Sequence, residues 1–222
     1  MFFLEESKPI RSYVLRSGRI TAAQKRAIDE YWPKWGLDPL LGPLNPQMVF
    51  KRNSKTILEI GFGMGESLIQ SAIQMPDVNF IGVEVHAAGI GKILNEIANR
   101  KLKNVRIFWH DAVEIVEKYL PFESISEVNI FFPDPWHKKK HQKRRLLNKE
   151  FIEKIISKSK KIYFLTDNFD YFLFVLKIIK KLSKKKIILS FSKKKFKIAK
   201  TKYLNRAKKL KNKLYFLTID IN

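Results

Sequence analysis

The chain has 222 residues, 45% of them hydrophobic, with no cysteine and a formal net charge of +23. That length and apolar content suit one substantial globular core. The absence of cysteine excludes disulfides and thiolate metal sites, and no window approaches the roughly 18 uninterrupted apolar residues of a membrane span. The charge is one-sided: residues 1–136 carry 16 Lys or Arg against 16 Asp or Glu, and residues 137–222 carry 28 against 5. Such a field predicts a polyanionic partner, nucleic acid first. Lysine drift in a compositionally biased genome is the competing explanation for the exposed lysines of 177–200. The four histidines show no metal spacing, so no metal site is expected. The start, MFFLEESKPIRS, lacks the basic end and longer apolar run of a secretory signal. The cytoplasm is the expected compartment.

In chain order, Thr21-Ala-Ala-Gln24 reads as a capping box. It predicts a helix to about Trp32, stopped by Pro33. Residues 36–53 read as a connector, so residues 1–53 form an N-terminal extension and residues 54–222 the main domain. Apolar, β-branched segments then recur at 56–60, 79–83, 105–109, 128–132 and 162–166, with helix-compatible stretches at 66–74, 87–100, 112–119 and 148–157. A helix near 171–182 and strands at 187–191 and 214–219 follow. Alternating strand and helix imply an α/β, Rossmann-like fold, with a mostly parallel seven-stranded sheet flanked by helices. The last two strands are close enough in sequence to pair antiparallel at one edge.

The first of these strands ends in Glu59-Ile-Gly61-Phe-Gly63-Met-Gly65. The glycines permit a tight turn and close approach of a ligand to amides at a helix start. The G-x-G-x-G spacing is not the dinucleotide fingerprint, and no Lys-Ser/Thr follows as in a phosphate-binding loop. The second strand ends at Glu84, placed to accept both hydroxyls of a ribose. The third runs into Asp111. Each alone has a plainer reading: a turn, a solvated strand end, a helix N-cap. Together, three strand-end acids around a glycine loop suit an adenosine carrying a cation, as in S-adenosylmethionine. The fourth strand stops at Pro133-Asp134-Pro135, followed by Trp136, His137 and the basic run Lys138 to Arg145.

These residues resemble the bacterial tRNA (guanine-N7-)-methyltransferases over nearly the whole chain. The resemblance rests on RSYVLRSGRIT at 11–21, LEIGFGMGESL at 58–68, GVEVH at 82–86, HDAVE at 110–114, FFPDPWHKKKHQKRR at 131–145, TD at 166–167 and TKY at 201–203. It implies methylation of N7 of a variable-loop guanine, commonly guanine 46, and a domain at 54–222 that depends on S-adenosylmethionine. It also implies that Glu59, Gly61, Gly63, Glu84, Asp111 and Asp134 hold the cofactor, and that Asp134 is the catalytic residue. Lys138, Asp167 and the segment Thr201, Lys202, Tyr203 and Leu204 would face the tRNA. No obligatory protein partner is expected. The chain departs from the family pattern at Leu204, where an acid is usual, at Ala207, where a glycine is usual, and at Asn168, where an aromatic is usual. The loop before Thr201 is lysine-rich where the family favours prolines.

Chemically, guanine N7 has a lone pair and no proton, so attack on a sulfonium methyl needs no general base. A carboxylate beside the ring would stabilise the positive charge that moves onto the purine. Asp134 is the candidate. Lys140, Lys143, Arg144 and Arg145 are expected along the RNA backbone. Trp136 either stacks on a base or serves as a core or hinge tryptophan. Asp167 either contacts substrate or caps a helix. Two other functions compete: a tRNA-binding protein impaired in turnover, motivated by Leu204, and a methyltransferase for a protein or small molecule.

Overall fold

The structure is a computed structural model that describes residues 11–14, 20–39, 42–182, 187–192 and 201–221. Helix α1 (Ala22–Trp35) opens on the expected capping box, with both reciprocal bonds of Thr21 and Gln24 in place. It runs past Pro33 to Trp35, beyond the expected stop. A proline in the last turn removes only one intrahelical donor. Trp35, buried and donating from Nε1 to the Leu102 carbonyl at 3.2 Å, holds that turn in place.

The remaining elements are β1 (Gly36–Leu37), α2 (Pro46–Phe50), β2 (Thr56–Ile60), α3 (Glu66–Gln74), β3 (Asn79–Glu84), α4 (Ala87–Asn99) and β4 (Val105–Trp109). A short α5 (Ala112–Glu114) continues as a π-helical turn to Tyr119, then come β5 (Glu127–Phe131), α6 (Lys149–Lys158) and β6 (Lys161–Thr166). The chain ends with α7 (Phe169–Lys181), β7 (Ile187–Ser190), α8 (Lys202–Lys209) and β8 (Tyr215–Ile221). The described strands form one sheet in the order β1-β4-β3-β2-β5-β6-β8-β7. That is one strand more than the expected seven: Gly36 and Leu37, read as connector, pair in parallel with Ile107 and Phe108. The pairings from β1 to β6 are parallel, whereas β8 lies antiparallel between β6 and β7.

Successive strand residues face opposite layers. Ile57, Phe80, Val105 and Ile107 pack with α1, α3 and α4, while Leu58, Ile60, Ile81, Val83 and Phe108 pack with α6, α7 and the π turn. From β2 the chain crosses to β3 on one side, and from the neighbouring β5 it crosses to β6 on the other, so connections leave the carboxyl ends of these two strands in opposite directions. That switch point is where open α/β sheets bind ligands.

Candidate functional site

Gly61, Gly63 and Gly65 all have positive φ (69°, 58° and 79°), which L side chains rarely adopt. The glycine turn can therefore fold back tightly between β2 and α3. Its position is fixed by Glu84 at the end of β3. One carboxylate oxygen accepts from the Gly63 N–H at 2.8 Å; the other accepts from the N–H groups of Val85 (2.7 Å) and His86 (3.1 Å). Three of the roughly four acceptor positions of a carboxylate are thus occupied. Accepting both hydroxyls of a ribose would require at least one of these donors to give way. Gly89 in α4 completes the turn. A Cβ there would lie 2.2 Å from the Gly63 carbonyl oxygen, so only glycine allows this approach.

Two adjoining cavities meet at this turn. The first, about 170 Å³, is bounded by Gly61, Gly63, Glu84, His110, Asp111 and Asp134. The second, about 360 Å³, is bounded by Glu59, Ser67, Gly89, Thr201 and Arg206. Gly61, Gly63, Phe131 and Phe132 line both. Asp111 caps α5 by accepting from the Val113 N–H at 2.8 Å and also faces the first cavity, so its two readings coexist. Glu59 is buried beneath the second cavity, and burial pushes its carboxyl up to about 8. The neighbouring Ser67 hydroxyl opposes that shift. The Ser67 oxygen is itself buried and meets no partner in hydrogen-bond geometry.

Asp134 stands exposed at the first cavity, on a loop with unusual backbone at both ends. Phe132 has φ 52° and Trp136 φ 49°. Such conformations cost on the order of 1–3 kcal/mol each and persist only where surroundings hold them. Here the Phe132 N–H donates to the Leu165 carbonyl at 2.8 Å. Trp136 is half-buried, donating from Nε1 to the Ser12 carbonyl at 3.3 Å, with the Arg144 guanidinium 5.2 Å from its ring centre. These contacts tie the N-terminal segment to the loop.

Arg145 corrects an expectation. It is 3% exposed, not on the surface, so it cannot follow an RNA backbone. Its guanidinium lies 4.9 Å from the Tyr171 ring and 5.1 Å from the Phe174 ring, and Nε donates to the Pro135 carbonyl at 2.9 Å. It anchors the Asp134 loop from beneath. Lys138, Lys140 and Lys143 are exposed, on and beside a 3₁₀ turn over 139–144. Asp167 is exposed and accepts from Asn212 Nδ2 at 2.9 Å; the helix cap is Asn168, whose side chain accepts from the Tyr171 N–H. Thr201 caps α8, accepting from the Leu204 N–H at 3.1 Å. The Leu204 side chain is buried, so it is a packing residue and does not face a substrate. The side chains of Lys202 and Tyr203 lie outside the described residues. Gly89 and Arg206 border the site without having been expected there as cofactor contacts. A glycine in an amphipathic helix is the only sequence signal for the first.

Among the described residues, no cluster of three or more His, Asp or Glu could hold a metal ion, and no helix is long and apolar enough to cross a membrane. A family model described as "Putative methyltransferase" matches residues 53–217. A tRNA (guanine-N(7)-)-methyltransferase from Saccharophagus degradans is 46% identical over 155 residues, covering 70% of this chain and 68% of that relative. The chain belongs to the tRNA (guanine-N7-)-methyltransferase family. A second family member, from Shewanella amazonensis, is 48% identical over 153 residues, 69% of this chain and 64% of its own length. The chain thus spans about two thirds of these relatives. Among solved structures, 16S rRNA methyltransferase KamB has a TM-score of 0.56 at 12% identity, covering 79% of this chain and 91% of KamB. That likeness establishes the shared α/β methyltransferase fold.

Proposed function

We propose that this protein transfers the methyl group of S-adenosylmethionine to N7 of a guanine in tRNA, guanine 46 of the variable loop. The observation that carries this reading is the convergence of Glu84, Asp111 and Asp134 on one cavity beside a glycine turn, with Glu59 buried beneath the adjoining one. The fit to the cofactor is chemical. A buried acid with no cation beside it among the described residues, and a buried hydroxyl lacking a partner, suit an ammonium group. At Gly61 a Cβ would meet nothing within 4 Å, so the turn leaves open space where a ligand can press against its backbone.

On this reading Glu84 and Asp111 hold the ribose and adenine end, Gly61 and Gly63 line the passage, and Glu59 receives the ammonium of the methionyl end. Arg206, at the rim of the second cavity, offers its guanidinium to the carboxylate. Bound S-adenosylmethionine supplies an electrophilic methyl on a sulfonium. Asp134 faces the position where positive charge develops on the purine, and the tethered Pro133–Pro135 loop keeps it there without reorganisation. Lys138 and Asp167 flank the base, and Lys140, Lys143 and Arg144 track phosphates. Residues 54–222 act as the methyltransferase domain, extended by 1–53, in the cytoplasm and without an obligatory protein partner. Unmodified tRNA incubated with methyl-labelled S-adenosylmethionine and digested to nucleosides tests this. Label in 7-methylguanosine supports it; label in another nucleoside, or none, overturns it.

A further inference from the structure

A row of aromatic rings lies beside the site and has no part in the chemistry above. Phe169, the first residue of α7, stacks at a tilt of 35° on Tyr215, with ring centres 5.1 Å apart. Tyr215 in turn rests on Phe172 at 5.2 Å and 32°, and Phe172 meets Phe191 edge-on at 6.2 Å. Within the row Phe172 is core at 9% exposed and Tyr215 is half-buried, while both ends are exposed, Phe191 at 55% on the side of β7 and Phe169 nearer the site. Phe169 is 50% exposed, although Tyr215 supports one side of it.

The location is the carboxyl rim of the sheet. Tyr215 pairs with Thr166, the last residue of β6, and β6 lies next to β5, the strand that leads to Asp134. Two strand spacings of about 4.8 Å put the platform roughly 10 Å from the Asp134 strand. A polar link joins the two loops: His137 Nδ1 lies 3.4 Å from Asn168 Nδ2, one residue before Phe169. The surroundings are those of a nucleobase site. Lys213 Nζ sits 5.8 Å from the Tyr215 ring centre. Lys138, Lys139 and Lys140, which follow His137 in the chain, are exposed. Asp167, two residues before Phe169, presents an exposed carboxylate that can accept from the Watson–Crick edge of a base. A protein-docking patch would be apolar at its centre and depleted of such charges.

We propose that Phe169, backed by Tyr215, is a stacking platform for an unpaired base of the tRNA that adjoins the target guanine. The proposal rests on the reading that the substrate is tRNA. Stacking on an aromatic face is tolerant of base identity and is lost with the ring.

The test is tRNA affinity and turnover of Phe169→Leu, Phe169→Ala and Phe169→Trp beside the unaltered protein. S-adenosylhomocysteine affinity and melting temperature are measured on each. Losing one stack is expected to weaken tRNA binding by about fivefold to a hundredfold in Phe169→Leu. Phe169→Trp should retain it, and S-adenosylhomocysteine affinity should stay within about twofold. Phe169→Leu is the decisive variant should Phe169→Ala fail to fold, since leucine preserves the apolar contact with Tyr215. Unchanged tRNA affinity in Phe169→Leu overturns the proposal. So does a parallel loss of S-adenosylhomocysteine affinity and melting temperature, which would make the ring a structural element. If the unaltered protein neither binds nor methylates tRNA, the underlying function is wrong and the platform falls with it.

Discussion

Arg145 separates two accounts of the basic run. On the surface it would be one more phosphate contact; in the structure it is a buried pin. Arg145→Met keeps similar bulk between Tyr171 and Phe174 but removes the charge and the donor to the Pro135 carbonyl, 2.9 Å away. A hydrogen bond from a charged donor contributes about 1.5–3 kcal/mol and each cation–ring contact about 0.5–1, partly offset by relief from burying the charge. The net loss is about 2–4 kcal/mol, a fall of roughly 4–16 °C in melting temperature for a chain of this size. The loop carrying Asp134 also loses its lower tether, so kcat should fall by about tenfold or more, since displacements near 1 Å can cost about a hundredfold. Thermal melts and steady-state methyl transfer to tRNA read both effects. An unchanged melting temperature, with tRNA affinity reduced and its salt dependence shallower by about one unit, would refute the buried-pin assignment.

Gly89→Ala should stabilise a helix by about 1 kcal/mol on propensity alone. Here it must instead displace the Gly63 carbonyl, 2.2 Å from the new Cβ, and calorimetry should show S-adenosylhomocysteine binding weakened at least about tenfold by the 3.4–4 Å clearance it lacks. Glu59 titrates near 8 in the folded protein because of burial, against an ordinary value of 4.5. Between those values the fold retains a proton that the unfolded chain has released, so this group's contribution declines from pH 4.5 to 8. Glu59→Gln should therefore raise the melting temperature more at pH 8 than at pH 5. An ammonium-bearing ligand should also expel that proton below pH 8, visible as a buffer-dependent binding enthalpy that Glu59→Gln abolishes. Lys140→Ala and Lys143→Ala should each lower the salt slope of tRNA binding by about one, leaving S-adenosylhomocysteine affinity unchanged.

Much of this architecture was legible in the residues. The five apolar segments before residue 170 became β2 to β6; β2 and β3, buried at every residue, read most plainly as continuous apolar runs. The acids at 84, 111 and 134, which line one cavity, stand out in the sequence because each follows such a run within two residues. What escaped depends on contacts distant in sequence. β1 is two residues long and exists through pairing with β4, seventy residues later. The helix passes Pro33 because Trp35 reaches the Leu102 carbonyl. Arg145 looks like its basic neighbours until Tyr171 and Phe174 close over it. Leu204 was expected to face the tRNA from its place in the motif, and it is instead buried, because an apolar side chain there packs inward.

The central claim is that Asp134 stabilises charge on a guanine accepting a methyl group at N7. Borohydride reduction and aniline cleavage of tRNA treated with S-adenosylmethionine, by the unaltered protein and by Asp134→Asn, tests it most directly. Cleavage is expected at one variable-loop guanine, with the rate of its appearance reduced by about a hundredfold to a thousandfold in the variant and tRNA binding retained. Full-rate cleavage in Asp134→Asn would remove the charge argument. Tight tRNA binding without cleavage by the unaltered protein would mean that the fold binds tRNA without methylating it.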